Sequence, residues 1–329
     1  MHLPKFEHQR PATLKEAIEI LKEYGSRARI AAGGTDLYPR MKYGLLRPQV
    51  VISLKGLPVE SPATVGEGEL QLDAFMTLAD VVGSPEILER APLLTEAALS
   101  VASNQIRHMA TLGGNLCLET RCTYYNQSHT YQYVEPCFKR DGDRCYLLPK
   151  GRKCQAVFMA DTVPALICLE AEVEIQSHSN SRQLAVMDLY TGDPLSPIAL
   201  SEGELVSRVT IPNSAPNRGS GFTKFSLRGG MEFGGVTVAV LLDGADDGRT
   251  CGKARIAVGS VSAKPVRAVK AETALIGEKP SDDLLRKAAR KVATEVRPVM
   301  HHGYSASFLR ECLEVQAYRT LTKAAGGMR

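Results

Sequence analysis

The chain contains 329 residues, of which 44% are hydrophobic and 23% are charged, as in an ordinary soluble globular protein. Its length exceeds what one core usually serves, so we expect two or three domains. The net charge of +4 is too small to indicate a nucleic-acid partner, and no apolar run approaches the ~20 residues of a membrane span. The N-terminus lacks the apolar core of a signal peptide, so we expect a cytoplasmic protein.

The first predicted unit, residues 1–58, is a strand–helix–strand module. Thr13 and Glu16 fit a helix-capping box, and Gly25 is placed to end the helix that follows. Short apolar strands are predicted at 29–32 and 49–54.

The second predicted unit covers residues 59–217. Leu70 and Leu72 alternate with polar residues, as do Val173 and Ile175, and each pattern predicts a strand with one buried face. Between these strands the chain is expected to be helical, and it contains the motifs discussed below.

The third predicted unit, residues 218–329, follows a segment rich in Ser, Pro, Gly and Asn at 214–221, which predicts a linker. Apolar periodicity then predicts two strands and two helices, at 236–240, 254–258, 283–296 and 307–323.

A glycine pair follows the first buried strand. Gly33 and Gly34 would let the backbone approach a phosphate closely with its N–H groups. Thr35 adds a hydroxyl group, and Asp36 is placed to cap the next turn. Such a sequence is on its own more often a tight turn than a phosphate site.

A second glycine pair, Gly113 and Gly114, precedes Asn115 and also follows an apolar segment. Two such loops could hold one pyrophosphate from both sides. Neither loop contains Lys or Arg, so backbone dipoles would have to neutralise the phosphates. The other interpretation is two unrelated turns.

Four of the eight cysteines lie close together in a polar part of the chain, at Cys122, Cys137, Cys145 and Cys154. Their spacing is not the tight C-x2-C of most zinc and ferredoxin sites. Their density still predicts a metal, because the segment has little apolar material to order it otherwise. Four thiolates suit zinc or an iron–sulfur cluster. A solvated basic loop is the alternative, and His129 is interpreted as a loop residue.

With both glycine loops in view, the chain resembles the FAD-binding medium subunits of the xanthine oxidase family of molybdenum hydroxylases over essentially its whole length. The motifs that carry the resemblance are Ala32–Leu37, Gln105–Arg107, Thr111–Asn115, Asp161–Leu166 and Tyr304–Arg310.

The resemblance implies an α+β chain. Its fold would be the two-subdomain FAD-binding fold of the molybdenum hydroxylase flavoproteins, followed by a C-terminal α/β domain. It implies FAD as a cofactor and no catalytic residue in this chain. The implied FAD-binding residues are Ala32, Gly33, Gly34, Thr35, Asp36, Leu37, Thr111, Gly114, Asn115, Asp161 and Lys224.

The cysteines lie in an insertion at about 119–158, within the second FAD-binding subdomain, where most members of the family have almost none. This insertion is similar to that of the β subunits of 4-hydroxybenzoyl-CoA reductases, which contain an extra [4Fe-4S] cluster. The resemblance implies that Cys122, Cys137, Cys145 and Cys154 are the cluster ligands and that Cys117 is not.

The closer resemblance also implies a route for electrons. Ferredoxin would reduce the [4Fe-4S] cluster, and FAD would pass electrons to two [2Fe-2S] clusters in a small subunit. A large molybdopterin subunit would then remove the hydroxyl group of 4-hydroxybenzoyl-CoA to give benzoyl-CoA. The implied assembly is a dimer of heterotrimers.

Two alternatives stay open. The chain could be the medium FAD subunit of an oxidative molybdenum hydroxylase that resembles xanthine or aldehyde dehydrogenase. It could also be a flavin-free subunit in which zinc holds the cysteine segment together for assembly.

Overall fold

The computed structural model describes residues 2–127, 135–213, 218–245 and 249–328. These residues form three β-sheets with helices packed on them. None of the helices in these ranges is both long and apolar enough to cross a membrane. His129 lies outside the described residues.

The first sheet is parallel, with the strand order β1–β3–β2. Its elements in chain order are β1 (Glu7–Gln9), α1 (Leu14–Tyr24), β2 (Ala28–Ala31), α2 (Leu37–Lys42) and β3 (Val50–Ser53). Thr13 caps α1 by accepting a hydrogen bond from the backbone N–H of Glu16, and Gly25 ends it with φ at 51°. The predicted strand–helix–strand module is therefore confirmed.

The second sheet is antiparallel, with the strand order β4–β5–β8–β6–β7. Its strands are β4 (Ala63–Val65), β5 (Glu69–Asp73), β6 (Glu172–Gln176), β7 (Ser181–Ala185) and β8 (Leu205–Ile211). The helices between β5 and β6 are α3 (Leu78–Gly83), α4 (Pro85–Arg90), α5 (Pro92–Leu99), α6 (Asn104–Arg107), α7 (Leu112–Leu116) and α8 (Thr162–Cys168). Leu70, Leu72, Val173 and Ile175 are all buried, as their alternation predicts.

The third sheet is antiparallel, with the strand order β12–β11–β10–β9. Its elements are β9 (Arg218–Phe225), β10 (Val236–Gly244), β11 (Cys251–Gly259), β12 (Val266–Arg267), α9 (Val269–Thr273), α10 (Asp282–Glu295) and α11 (Ala306–Gly327). A Cβ on Gly221 would lie 2.8 Å from the Thr320 carbonyl oxygen, so this glycine lets α11 approach β9 closely. Residues 214–217 lie outside the described part, but 218–221 belong to β9, so that half of the predicted linker is wrong.

Helix α8 joins the second and third sheets. Every residue from Thr162 to Cys168 is buried, and the Cys168 thiol lies 3.3 Å from the Ala239 carbonyl oxygen on β10. A Cβ on Gly259 would lie 2.8 Å from Pro164 Cγ. Because α8 is enclosed on both sides, its sequence is apolar throughout.

The cysteine segment, residues 122–156, leaves the second unit and returns to it at one point. Arg121 and Val157 form an isolated antiparallel bridge, with backbone hydrogen bonds of 2.7 and 2.8 Å. A short 3-10 helix at Phe138–Arg140 is the regular structure inside the described part of the segment. Its shape must therefore depend on interactions other than regular hydrogen bonding.

Candidate functional site

The first glycine loop, residues 32–37, connects β2 to α2. A Cβ on Gly33 would collide with the Met109 carbonyl oxygen, and Gly34 has φ at 69°. Both positions therefore require glycine, one for close approach and one for backbone conformation. The N–H groups of Gly33, Gly34 and Thr35 donate to no protein acceptor in the described part of the chain.

The second glycine loop, residues 111–115, contacts the first. A Cβ on Gly114 would lie 3.8 Å from Ala32 Cβ, and a Cβ on Gly113 would lie 2.9 Å from the Ala74 carbonyl oxygen. The two loops thus meet at one place, as the prediction of a shared site requires.

The backbone donors of the second loop are already used. Leu112 N–H donates to the Met76 carbonyl oxygen at 3.0 Å, and Gly113 N–H donates to Ala74 at 2.7 Å. Gly114 N–H donates to the Thr111 hydroxyl at 3.0 Å. These three donors are therefore not free for a phosphate, and the role of this loop in binding FAD stays a prediction.

A cleft lies where the loops meet. It offers about 130 Å³ of space to water-sized molecules, and Ala32 and Thr111 line it together with Lys55 and His108. Lys55 follows β3, and His108 lies in the turn between α6 and the second loop. Sequence reasoning missed these two residues because it searched only inside the glycine loops for positive charge. Lys55 supplies a cationic group that the loops lack, and His108 adds an imidazole ring.

Asp161 and Lys224 form a buried ion pair beside the second loop. Lys224 Nζ lies 2.7 Å from Asp161 Oδ2 and donates to the Ser100 carbonyl oxygen at 3.0 Å. Burial raises the pKa of Asp161 to about 6, although Lys224 acts to lower it. Asp161 Oδ1 is buried and has no hydrogen-bond partner among the described residues. A buried oxygen without a partner points to a ligand group that would donate to it.

Asn115 connects the second loop to α8. Its Oδ1 accepts a hydrogen bond of 2.6 Å from the Thr162 hydroxyl, next to Asp161 in the chain. The structure therefore brings Asn115, Asp161 and Lys224 to one side of the second loop, although their sequence positions are far apart.

Two residues of the first motif make contacts within the protein itself. Leu37 packs against the buried Ala31, Met41 and Val51 and so belongs to the core. Asp36 stands at the N-cap position of α2 but makes no side-chain capping bond. The expected cap is wrong, because the carboxylate pairs with Arg121 in the bridge that closes the cysteine segment.

The four predicted cysteine ligands line one small cavity, with only about 10 Å³ of space for water-sized molecules. Tyr124, Tyr125, Phe138 and Tyr146 also line this cavity, which we call the cysteine cavity. Cys117 does not line it, and all eight cysteines are free thiols. The insertion therefore folds so that four sequence-distant sulfur atoms face the same small space.

Cys145 and Cys154 are buried, whereas Cys122 and Cys137 are partly exposed. Burial raises the pKa of Cys122 to about 11, and the neighbouring Cys154 and Cys137 thiols add to this rise. Burial also raises the pKa of Cys154, although the positive charge of Lys139 acts to lower this pKa. Among the described residues, however, no three His, Cys, Asp or Glu side chains stand in the arrangement that would hold a single metal ion.

Comparisons with known proteins cover the whole chain. Residues 4–214 match the model of the FAD binding domain in molybdopterin dehydrogenase, and residues 222–324 match the CO dehydrogenase flavoprotein C-terminal domain. The structure of carbon monoxide dehydrogenase from Hydrogenophaga pseudoflava superposes with a TM-score of 0.83 at 22% identity, over 100% of both chains. The predicted two-part FAD-binding fold is thereby confirmed.

Two relatives represent the sequence matches. Subunit alpha of the 6-hydroxypseudooxynicotine dehydrogenase complex of Paenarthrobacter nicotinovorans is 26% identical over 98% of this chain and 96% of the relative. The FAD-binding subunit of an Escherichia coli aldehyde oxidoreductase is 29% identical over 75% of this chain and 79% of the relative. The chain therefore belongs to the FAD-binding medium subunits of the molybdenum hydroxylase family, and it is an oxidoreductase subunit.

Proposed function

We propose that the chain transfers electrons in a molybdenum-containing enzyme through one non-covalently bound FAD. When bound, the isoalloxazine ring of FAD converts between one-electron and two-electron chemistry, which no side chain can do. The observation that carries the proposal is the meeting of the two glycine loops at one cleft. Lys55 and His108 line this cleft. In the adjoining loops and in α8, the N–H groups of residues 33–35 have no acceptor among the described residues, and Asp161 Oδ1 is buried without a partner.

The residues around the cleft have complementary roles in this proposal. In this proposal the N–H groups of Gly33 to Thr35 face the phosphates, and Lys55 offsets their charge. The second loop and Asn115 fix the shape of the site. Asp161, held by Lys224, offers its free oxygen to a donor on the flavin.

The substrate would be transformed on partner subunits. No residue of this chain has been assigned as an acid, base or nucleophile for an organic substrate, and the names of its relatives describe single subunits or chains of larger enzymes. We propose a large molybdopterin subunit and a small subunit with two [2Fe-2S] clusters, arranged as a dimer of heterotrimers. A cytoplasmic location fits the eight free thiols, because disulfides are rare in that reducing compartment.

The names of the relatives support the oxidative alternative best. They include an aldehyde oxidoreductase, two nicotine-related enzymes and carbon monoxide dehydrogenases. We therefore propose that electrons leave the molybdenum subunit, reach FAD through the small subunit, and pass to an external acceptor. Membership in an FAD-binding family argues against the flavin-free alternative.

The cysteine cavity favours a second candidate function, that of a reductive enzyme acting on 4-hydroxybenzoyl-CoA. In this candidate, Cys122, Cys137, Cys145 and Cys154 hold a [4Fe-4S] cluster that accepts electrons from ferredoxin. Four cysteines line one cavity, yet no three are arranged to hold a single ion. Four thiolates suit an iron–sulfur cluster as well as zinc, so the cluster rests on the number of cysteines and on the resemblance to the reductases.

Cofactor analysis tests both candidates on the same sample. The full chain would be purified without oxygen and assayed for flavin, iron, acid-labile sulfide and zinc. One FAD per chain is expected from either candidate, and its absence would contradict the main proposal. Four iron and four sulfide per chain would support the cluster. One zinc without sulfide would show that the metal only stabilises the structure of the segment.

A further inference from the structure

A set of charged side chains links the cysteine segment to the first glycine loop. Arg121 pairs with Asp36 Oδ1, and Arg40 Nη1 lies 3.7 Å from Asp36 Oδ2. Arg40 Nη2 lies 3.4 Å from Glu119 Oε2, and Lys139 Nζ lies 2.8 Å from Glu119 Oε1. We call these five residues the charge network. It runs without a gap from the loop to the interior of the cysteine segment.

The cations of the charge network are buried. The side chains of Lys139, Arg40 and Arg121 are 5%, 11% and 13% exposed. Burial would raise the pKa of Glu119, but Lys139 and Arg40 hold it below its ordinary value. Exposed ion pairs contribute little to stability, whereas removing one partner of a buried pair is costly. Moving one member of the network must therefore disturb the others.

The network has two arms, and each begins beside a predicted cysteine ligand. Arg121 directly precedes Cys122, and Lys139 follows Cys137 by two residues. The Arg121 arm reaches Asp36 directly, and the Lys139 arm reaches it through Glu119 and Arg40. Two residues close to cysteines in sequence, Arg121 and Lys139, are thus connected by ion pairs to the Asp36 carboxylate.

Arg121 contacts two residues from different units, Asp36 of the first glycine loop and Phe233 of the third unit. The Asp36 carboxylate is drawn to Arg121 instead of capping α2. The Arg121 guanidinium also lies 4.8 Å from the centroid of the Phe233 ring, on the segment between β9 and β10 that follows Lys224. Arg121 therefore holds together the first glycine loop, the cysteine segment and the third unit.

We propose that Arg121 and Lys139 are positioning residues through which filling of the cysteine cavity and binding of FAD strengthen one another. This inference rests on the proposed function, because it needs both sites. A metal group bound by the cysteines would fix a polar segment whose described part has little regular structure. Arg121 and Lys139 are then held in place, so the first loop loses less freedom when FAD binds.

The test is the affinity of the full chain for FAD with and without metal. One sample would be loaded anaerobically with ferrous iron and sulfide, and the other treated with a chelator and reductant. Loading should lower the FAD Kd by about fivefold or more, the lower range of coupling between two sites. By reciprocity, FAD should slow the loss of iron to a chelator, since it must raise metal affinity by the same factor.

Variants identify the residues that transmit the effect. The coupling factor is the FAD Kd of the chelated chain divided by that of the loaded chain. Arg121→Gln and Glu119→Gln each remove one arm of the network, so each should lower this factor while iron, sulfide and FAD still bind. The double variant should bring the factor close to one. Arg121→Lys keeps the charge and should retain part of it. Arg182→Gln is the matched control, because it breaks the Arg182–Glu204 ion pair outside the network and should leave the factor unchanged.

The outcomes separate this inference from the proposed function. An FAD affinity that is the same in loaded and chelated wild-type chain would overturn the coupling alone. An equal loss of coupling in Arg182→Gln would overturn the assignment to the charge network. A chain that takes up no iron and sulfide would remove the cluster and the coupling together, and a chain that binds no FAD would overturn the main proposal as well.

Discussion

Gly114 stands where the two glycine loops touch, which makes it the most direct single-residue test of the FAD site. A Cβ there would lie 2.9 Å from the Thr111 hydroxyl and 3.8 Å from Ala32 Cβ. In Gly114→Val the two methyl groups of valine would clash with residues where the loops meet. FAD affinity should therefore fall by about tenfold or more, equivalent to ~1.4 kcal/mol. Fluorescence titration of FAD measures the change.

The control for Gly114→Val is Gly326→Val. Gly326 lies on the exposed end of α11, where a Cβ would meet nothing within 4 Å. This variant should bind FAD as tightly as the wild type. Circular dichroism should show that both variants are folded, and unchanged FAD affinity in folded Gly114→Val would exclude the second loop from the site.

Asp161 predicts a specific pH dependence of the flavin-free chain. Its pKa is raised from 3.8 to about 6 by burial, so the folded state binds more protons than the unfolded state between these values. The stability from this group is therefore complete below pH 3.8 and is lost as pH rises to about 6. The loss relative to Asp161→Asn should be at most about 3 kcal/mol.

Urea unfolding of the wild-type chain and Asp161→Asn between pH 4 and pH 7 would measure this effect. The difference in unfolding free energy should move in favour of Asp161→Asn as pH rises. If the difference in unfolding free energy between the two proteins stays constant from pH 4 to pH 7, the pKa of Asp161 is not raised in the folded state.

The residue-scale features differ in how far the sequence could predict them. Gly33 and Gly34 were predictable, because a glycine pair after a strand is a local pattern. The donors of the second loop were not, because the Gly113 N–H is used by Ala74, which is distant in sequence. The cap at Asp36 failed for the same reason, since Arg121 is 85 residues away.

At the scale of elements, the cysteine segment is the part that most needs a bound group. Changing Cys122, Cys137, Cys145 or Cys154 to Ser should in each case lose or strongly perturb the metal content, because each lines the cavity. FAD should remain bound, since the glycine loops belong to other elements. Iron and sulfide assays together with visible spectra of anaerobic samples measure this.

Cys117→Ser provides the matched comparison for these four variants. Cys117 is an interior thiol whose pKa burial raises to about 12, and it does not line the cysteine cavity. Its replacement should leave the iron content unchanged. Equal iron in all five variants would contradict the ligand assignment, even if the wild-type chain contains a cluster.

The elements themselves were largely predictable where their periodicity is local. The alternation at Leu70 and Leu72 and the capping residue Thr13 gave β5 and the start of α1. The segment 214–221 was misjudged because its composition suits a linker, although Gly219 and Gly221 serve the packing of α11 on β9. Composition alone cannot distinguish a flexible glycine from one that makes room for a neighbour.

At the scale of the whole molecule, the chain should be inactive on an organic substrate when isolated. The residues proposed for its site are cofactor-binding residues, and the proposal assigns the substrate chemistry to partner subunits. Purified alone, it should exchange electrons with dyes or with an electron-carrier protein. Steady-state assays with aldehydes, N-heterocycles and hydroxyaryl thioesters test this, and turnover of any of them by the isolated chain would contradict the subunit proposal.

Because Arg121 and Val157 are paired, the cysteine segment between them could be deleted without separating the residues on either side. Paired residues in an antiparallel ladder lie only about 5 Å apart, a gap that a two-residue Asn-Gly turn can span. Replacing residues 122–156 by Asn-Gly should therefore leave a folded chain that retains FAD and its Arg121–Asp36 contact, as melting curves and flavin content would show. A lineage could by the same route acquire or discard an electron relay in one genetic event, without redesigning the flavoprotein around it.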